Sequence, residues 1–185
     1  MATSNYIQTV IDAQKGRPRS TEWFKDKIKE LGTPGTMDLI RDGKRSNSPF
    51  YGRLNMFTYN PKHRRKLPYY DTFPLVLPIE KYPDGFLGIN FHYLPIPLRI
   101  RLLDAMIDYS NNTRFDESTV LKVSYDKLKN ISLIKPTLHR YLAGYTGSQF
   151  RRIDADEFTV ATLLPVQRFK KASANQVWSD SRRML

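Results

Sequence analysis

A chain of 185 residues is long enough for one domain with its own core, or for a compact domain with extended arms, and too short for two full-sized domains. Lys and Arg number 30 against 18 acidic residues, a net charge of +12, so a polyanion or an acidic protein surface is the expected neighbour. The lack of cysteine excludes disulfides, thiolate chemistry and cysteine-based zinc sites and suits a reducing cytoplasm, while 40% hydrophobic and 12% aromatic residues argue for a folded chain over a disordered basic tail.

In chain order, residues 1–20 include Lys15-Gly16-Arg17-Pro18-Arg19 and suit a basic arm. No basic region followed by an apolar run marks the amino terminus, so neither secretion nor membrane spanning is expected. With Ser20 as cap, Trp23, Phe24, Ile28 and Leu31 recur at helical spacing, which predicts a short amphipathic helix over 21–31 ended by Gly32, Pro34 and Gly35. A polar, basic, turn-rich stretch from Arg41 to Ser48 leads into β-structure over Tyr51–Tyr59 and then a loop at Asn60 to Lys66.

Phe73, Leu75, Leu77 and Ile79 alternate as a half-buried strand requires. Pro74 and Pro78 share one backbone orientation, so their missing N–H groups fall on one side and predict an edge strand. Pro83-Asp84-Gly85 is a turn, and the alternation of Leu87, Ile89, Phe91 and Tyr93 after it completes a hairpin. Pro97 suits a first helical turn, and Leu98, Leu102, Leu103, Met106 and Ile107 face a core until Asn111-Asn112. Val120–Ile131 and Lys135–Ala143 read as helices, the second starting near Pro136, and Phe158–Leu164 as a closing strand stopped by Pro165. Lys170 to Leu185 carries Lys170, Lys171, Arg182 and Arg183 around Trp178 and reads as a docking tail.

The fold expected from these elements is α+β: a small antiparallel sheet of three to four strands, or an SH3-like barrel, flanked by helices and carrying extended arms. The implied organisation is a basic arm at 1–20, a single domain at 21–169 and a basic docking tail at 170–185.

Charge is concentrated between Arg41 and Tyr70, where Arg41, Lys44, Arg45, Arg53, Lys62, Arg64, Arg65 and Lys66 are set against the single acid Asp42. Loop cations beside a sheet can reach phosphates; the same pattern also describes a solvated loop or a site for an acidic protein partner. Tyr51, Tyr59, Tyr69 and Tyr70 either stack on bases or, more commonly for such residues, pack within the hairpins. Pro74, Val76 and Pro78 on the expected edge, with Trp178, Arg182 and Arg183 in the tail, are candidates for partner docking.

Catalysis finds little support. His63, His92 and His139 lack metal-ligand spacing, and His92 reads as a polar-face strand residue. Asp104 and Asp108 lie one helical turn apart, but Arg99 and Arg101 are close enough to neutralise them, and solvated helix carboxylates are the commoner case. Neither a glycine-rich phosphate loop nor a nucleophile elbow is present, so no enzyme activity, cofactor or metal is expected.

The run Leu67-Pro68-Tyr69-Tyr70-Asp71-Thr72-Phe73-Pro74-Leu75-Val76, the run Gly85-Phe86-Leu87-Gly88-Ile89-Asn90-Phe91-His92-Tyr93-Leu94-Pro95 and the ending Val177-Trp178-Ser179-Asp180-Ser181-Arg182-Arg183 resemble segments of small virion proteins of T-even-like myoviruses, including cyanophage relatives. The pattern is most similar to the DNA end protector family. That resemblance implies a non-catalytic virion protein, assembled in the host cytoplasm, that binds the free end of packaged double-stranded DNA near the head–tail junction and shields it from exonuclease. These segments are mostly aromatic, proline and glycine positions that shape a hairpin, so no family site residue is carried over. A tail or baseplate subunit, hub- or tube-associated and working through other virion proteins, is the competing reading.

Overall fold

The computed structural model describes residues 44–110, 125–153, 162 and 166–185. Among the described residues the strands are β1 (Arg45–Ser46), β2 (Leu54–Met56), β3 (Tyr70–Asp71), β4 (Leu75–Tyr82), β5 (Gly85–Asn90), β6 (Leu138–Leu142), β7 (Phe150–Ile153) and β8 (Phe169–Lys170). The helices are α1 (Ile96–Ser110), α2 (Tyr125–Leu128) and α3 (Ala174–Arg183). Six strands pair antiparallel in the order β1-β7-β2-β4-β5-β6, and β3 pairs with β8 in a separate ribbon. The class is α+β as expected; the larger sheet is open and six-stranded, with β1 and β6 as its edges, so the barrel alternative is corrected.

Side chains alternating along the strands build a core on each face of the sheet. Leu75, Leu77 and Ile89 join Leu54, Met56 and Ile153, and against them pack Leu102, Leu103 and Met106 of α1, with Leu128 and Ile134. Val76, between Leu75 and Leu77, points to the other face, into an aromatic cluster of Phe57, Tyr59, Phe86, Tyr141 and Phe150. Ring centroids there lie 4.7 Å apart for Phe57–Phe150 and 5.2 Å for the stacked Phe86–Tyr141 pair.

Two covered faces explain the main departures from the sequence reading. The first half of β4 is buried on both sides, because the strand is internal, between β2 and β5, and not an edge. Pro78 is accommodated where β2 has already ended, its pairing with β4 stopping at Asn55↔Val76, and where the β4–β5 register shifts between Pro78 and Glu80. The expected helix over Lys135–Ala143 is instead a 3₁₀ segment, Ser132–Thr137, followed by β6. Pairing with β5 from Ile89↔Leu138 to Gly85↔Leu142, together with burial of Tyr141 in the aromatic cluster, overrides local helix preference.

The β4–β5 hairpin turns at Pro83-Asp84 as anticipated, with Tyr82 opposite Gly85. Gly85 is needed for close approach, since a Cβ there would overlap the Tyr141 carbonyl oxygen on β6. The predicted alternation through Phe91 and Tyr93 stops early: the Asn90 side-chain oxygen accepts from the His92 amide at 3.0 Å and turns the chain into a 3₁₀ helix, Phe91–Tyr93. Helix α1 has Pro97 in its first turn and buries Leu102, Leu103 and Met106, as the spacing predicts. The expected 1–20 arm, the 21–31 helix, residues 120–124 of the predicted 120–131 helix and most of the 158–164 strand lie outside the described residues; Thr162, the described residue of that stretch, is buried and helical, not in a strand.

The carboxy-terminal segment is a folded part of this unit. Ser173 caps α3 by accepting from the Gln176 amide at 3.2 Å, Val177 and Ser181 face inward, and the Trp178 indole N–H donates to the His92 carbonyl at 2.9 Å. Among the described residues no helix is long and apolar enough to cross a membrane.

Candidate nucleic-acid interface

The structure divides the basic window between two places. Arg41 lies outside the described residues. Lys44 and Arg45 are exposed at β1, with Arg45 opposite Arg151 of β7. Arg53 is partly buried in the turn before β2. Lys62, Arg64, Arg65 and Lys66 occupy the other place, a loop between Pro61 and Leu67, all exposed together with His63.

This loop has a defined backbone. The Arg64 amide donates to Pro61 O at 3.2 Å, and the Lys66 and Leu67 amides donate to His63 O at 2.9 and 3.1 Å. Lys171 pins it from β8's end, its ammonium donating to Arg65 O at 3.0 Å and Leu67 O at 2.8 Å. The Lys171 backbone is left-handed, φ 70°, a conformation non-glycine residues adopt at some energetic cost. The loop backbone is thus held by the protein itself, and Lys62, Arg64, Arg65 and Lys66 remain exposed to whatever anion approaches.

Sequence reading assigned Lys170 and Lys171 to a separate tail and did not single out Arg168. The ribbon brings Lys170 and Lys171 beside the loop, with Lys170 opposite Tyr70 and Phe169 opposite Asp71, while the Arg168 guanidinium lies over the Phe73 ring, 5.1 Å from its centroid. Thr72 ties the two segments further, its amide donating to the Arg168 carbonyl at 2.9 Å. Arg168-Phe169-Lys170, cationic on either side of one aromatic, is the strand-like signal that was available in the sequence.

Behind the loop lies a cleft of about 230 Å³ lined by Tyr59, Pro61, Leu67, Tyr70, Asp71, Tyr93, His139, Arg140 and Tyr141. Tyr59 is a packing residue, as the commoner expectation for these tyrosines had it: it is buried, and its hydroxyl accepts from the Leu142 amide at 3.2 Å. Tyr69 packs near Tyr93 and Phe169, whereas Tyr51 is 37% exposed. Tyr70 is partly open at the cleft wall.

The base of the cleft is organised by Asp71, whose carboxylate is buried yet fully engaged. One oxygen accepts from the amides of Phe73 and Arg168 at 3.0 and 3.2 Å; the other accepts from Asn90 Nδ2 at 3.3 Å and meets His92 Nδ1 at 2.7 Å. Burial alone would raise its pKa, but His92 and the two amides outweigh burial and hold the carboxyl below its usual range. His92 is therefore not the polar-face strand residue expected: it is fully buried in the turn after β5. Burial depresses its pKa against the pull of Asp71, so we take it as neutral with Nδ1–H donating, which leaves Nε2 as a lone pair. That atom has no partner among the described residues, an arrangement less costly for a lone pair than for a buried N–H.

On β6, burial lowers the His139 pKa to about 4, so its ring is neutral at physiological pH. Its Nε2 lies 3.2 Å from the Pro136 carbonyl and must donate to it, and its ring meets that of Tyr93 with centroids 3.9 Å apart. Arg99 is a second unexpected buried group. Burial lowers it to about 9, still protonated at neutral pH, and it donates to Leu94 O at 2.7 Å and Gln167 Oε1 at 3.0 Å. It thereby ties α1 to the segment before β8.

The docking candidates fare differently. Pro74, Val76 and Pro78 are buried within the chain and offer no surface to a partner. Trp178 is engaged by its own chain through His92, while Arg182 and Arg183 remain exposed on α3. Among the described residues no group of His, Asp or Glu could hold a metal ion.

An exposed cationic loop pinned to a cationic ribbon, with an aromatic cleft behind it, has the chemistry of a nucleic-acid surface. Neither a curated protein sequence nor a solved structure matches the chain significantly. A family model does match, over residues 4–181, and its description is Phage T4 terminal DNA protecting protein. Since that match runs through nearly the whole sequence, including the loop, the ribbon and both walls of the cleft, this chain belongs to the Phage T4 terminal DNA protecting protein family.

Proposed function

We propose that this protein binds free ends of packaged phage double-stranded DNA at the head–tail junction of the virion and shields them, without catalysing a reaction. The observation that carries the reading is the family match over residues 4–181 in a chain whose exposed loop concentrates Lys62, Arg64, Arg65 and Lys66 beside Lys170 and Lys171. Lys44 and Arg45, exposed at β1, with the partly buried Arg53, form a second basic place open to the duplex or to an acidic virion protein. Arg182 and Arg183 are the exposed residues left for contact with other virion proteins.

The tail or baseplate reading drew on an open edge strand and a free docking tail. β4 is internal and Trp178 is bonded within the chain, which removes the edge strand and the indole as docking devices, while the basic arm lies outside the described residues and Arg182 and Arg183 stay exposed. Protection is tested with blunt linear duplex, a processive exonuclease and the full-length protein. The expected result is survival of the linear DNA at protein levels near one or a few copies per end. Degradation at the unprotected rate would overturn the proposal.

A further inference from the structure

We infer that the cleft behind the basic loop receives the unstacked terminal nucleotide of a DNA end, its base among the tyrosines and its phosphate at the loop. This inference rests on the end-binding reading and gives it a site.

The argument starts from what the cleft accepts. Its lining includes Tyr59, Tyr70, Tyr93 and Tyr141, of which Tyr70 is the partly open one, and its volume is about 230 Å³, room for one base. The partly open Tyr70 offers a ring on which a flat π-system can stack. The ionised Asp71 at its base disfavours a phosphate inside, yet all its lone-pair positions are already occupied by protein donors, so it makes no demand on which base enters. The charge at the mouth is opposite. Pro61 and Leu67 line the cleft and bracket the loop that carries the cations, and Lys171 holds that loop in place. A nucleotide satisfies both halves in one orientation only, base inward and phosphate outward.

This arrangement discriminates ends from interior duplex by a physical route. An interior base must be unpaired and unstacked on both sides before it can leave the helix, whereas a terminal base is stacked on one side only and frays readily. A cleft sized for one base is therefore accessible to an end at lower cost than to any interior position. Recognition by stacking is tolerant of base identity, as a protector of ends requires.

The test uses full-length protein and duplexes carrying the fluorescent base 2-aminopurine either at the terminal position or in the interior, with circular duplex as competitor. Wild type is expected to change the emission of the terminal probe and not the interior one, and to prefer linear over circular DNA. Tyr70→Ala should abolish the emission change and reduce the end preference by at least about fivefold, the low end for loss of one base–aromatic stack. Its salt-dependent binding to circular DNA should persist, and Tyr70→Phe, which keeps the ring, should behave as wild type. Leu67→Trp, which fills the mouth from the loop side, gives the same readout should the alanine variant fold poorly. If wild type prefers ends but both variants keep that preference, or if terminal and interior probes respond alike, the cleft assignment is overturned while end binding stands. If wild type shows no end preference, the end-binding reading itself fails.

Discussion

Asp71 serves two partners in sequence, Asn90 and His92, and two backbone amides, so its removal leaves four donors without their acceptor. Asp71→Ala is expected to lose roughly 3 kcal/mol or more of folding stability in chemical denaturation; a loss below about 1 kcal/mol would mean the network does not stabilise the fold. The buried histidines give a pH dependence of defined sign. His92 and His139 are both depressed when folded, so between the ordinary histidine value, about 6.5, and their lower folded values the unfolded chain binds more protons. Stability is then fully present above about pH 6.5 and falls as pH drops toward about 4. Substituting His139 by Phe should flatten that fall, and an unchanged slope would remove His139 as a contributor. None of this was legible beforehand. His92 looked like any polar residue on an alternating strand, and only the Asn90 turn and the arrival of Asp71 from 21 residues away give it a buried partner.

Secondary elements were read best where local chemistry decided them. The Pro83-Asp84 turn and the Pro97 helix start depend on neighbouring residues alone, and both were visible in sequence. β6 and β4 were misjudged because their state depends on distant partners: β5 captures Leu138–Leu142, and β2 pairs with Leu75 and Val76, which makes β4 internal despite its prolines. The correction changes a prediction. On an edge, a charge at Val76 would block docking and spare the fold. In the aromatic cluster, Val76→Lys should instead unfold the isolated protein or lower its stability by several kcal/mol, and a soluble, normally folded variant would contradict the placement. The basic loop carries the complementary prediction. Changing Arg64, Arg65 and Lys66 together to Ala should leave the thermal midpoint within a few degrees of wild type, weaken DNA binding and reduce the slope of log affinity against log salt by roughly two to three units, about 0.9 per phosphate contact. Unchanged affinity and slope would take the loop out of the interface. The loop's charge was evident from composition; its alliance with Lys170 and Lys171 was not, because the β3–β8 pairing joins residues about a hundred positions apart.

At the scale of the molecule, a net charge of +12 draws the protein to any nucleic acid, and charge alone does not distinguish a DNA end from the duplex between ends. Family membership supplies the expectation of end protection, and the cleft behind the loop is the site proposed for meeting it. The most direct measurement is therefore equilibrium binding of the full-length protein to a labelled blunt duplex across a salt series, with linear and circular duplexes of the same sequence as competitors. The account predicts that linear DNA competes better than circular DNA and that the advantage survives at physiological salt, where non-specific attraction has weakened. Equal competition by the two forms, with binding that disappears as salt rises, would contradict it.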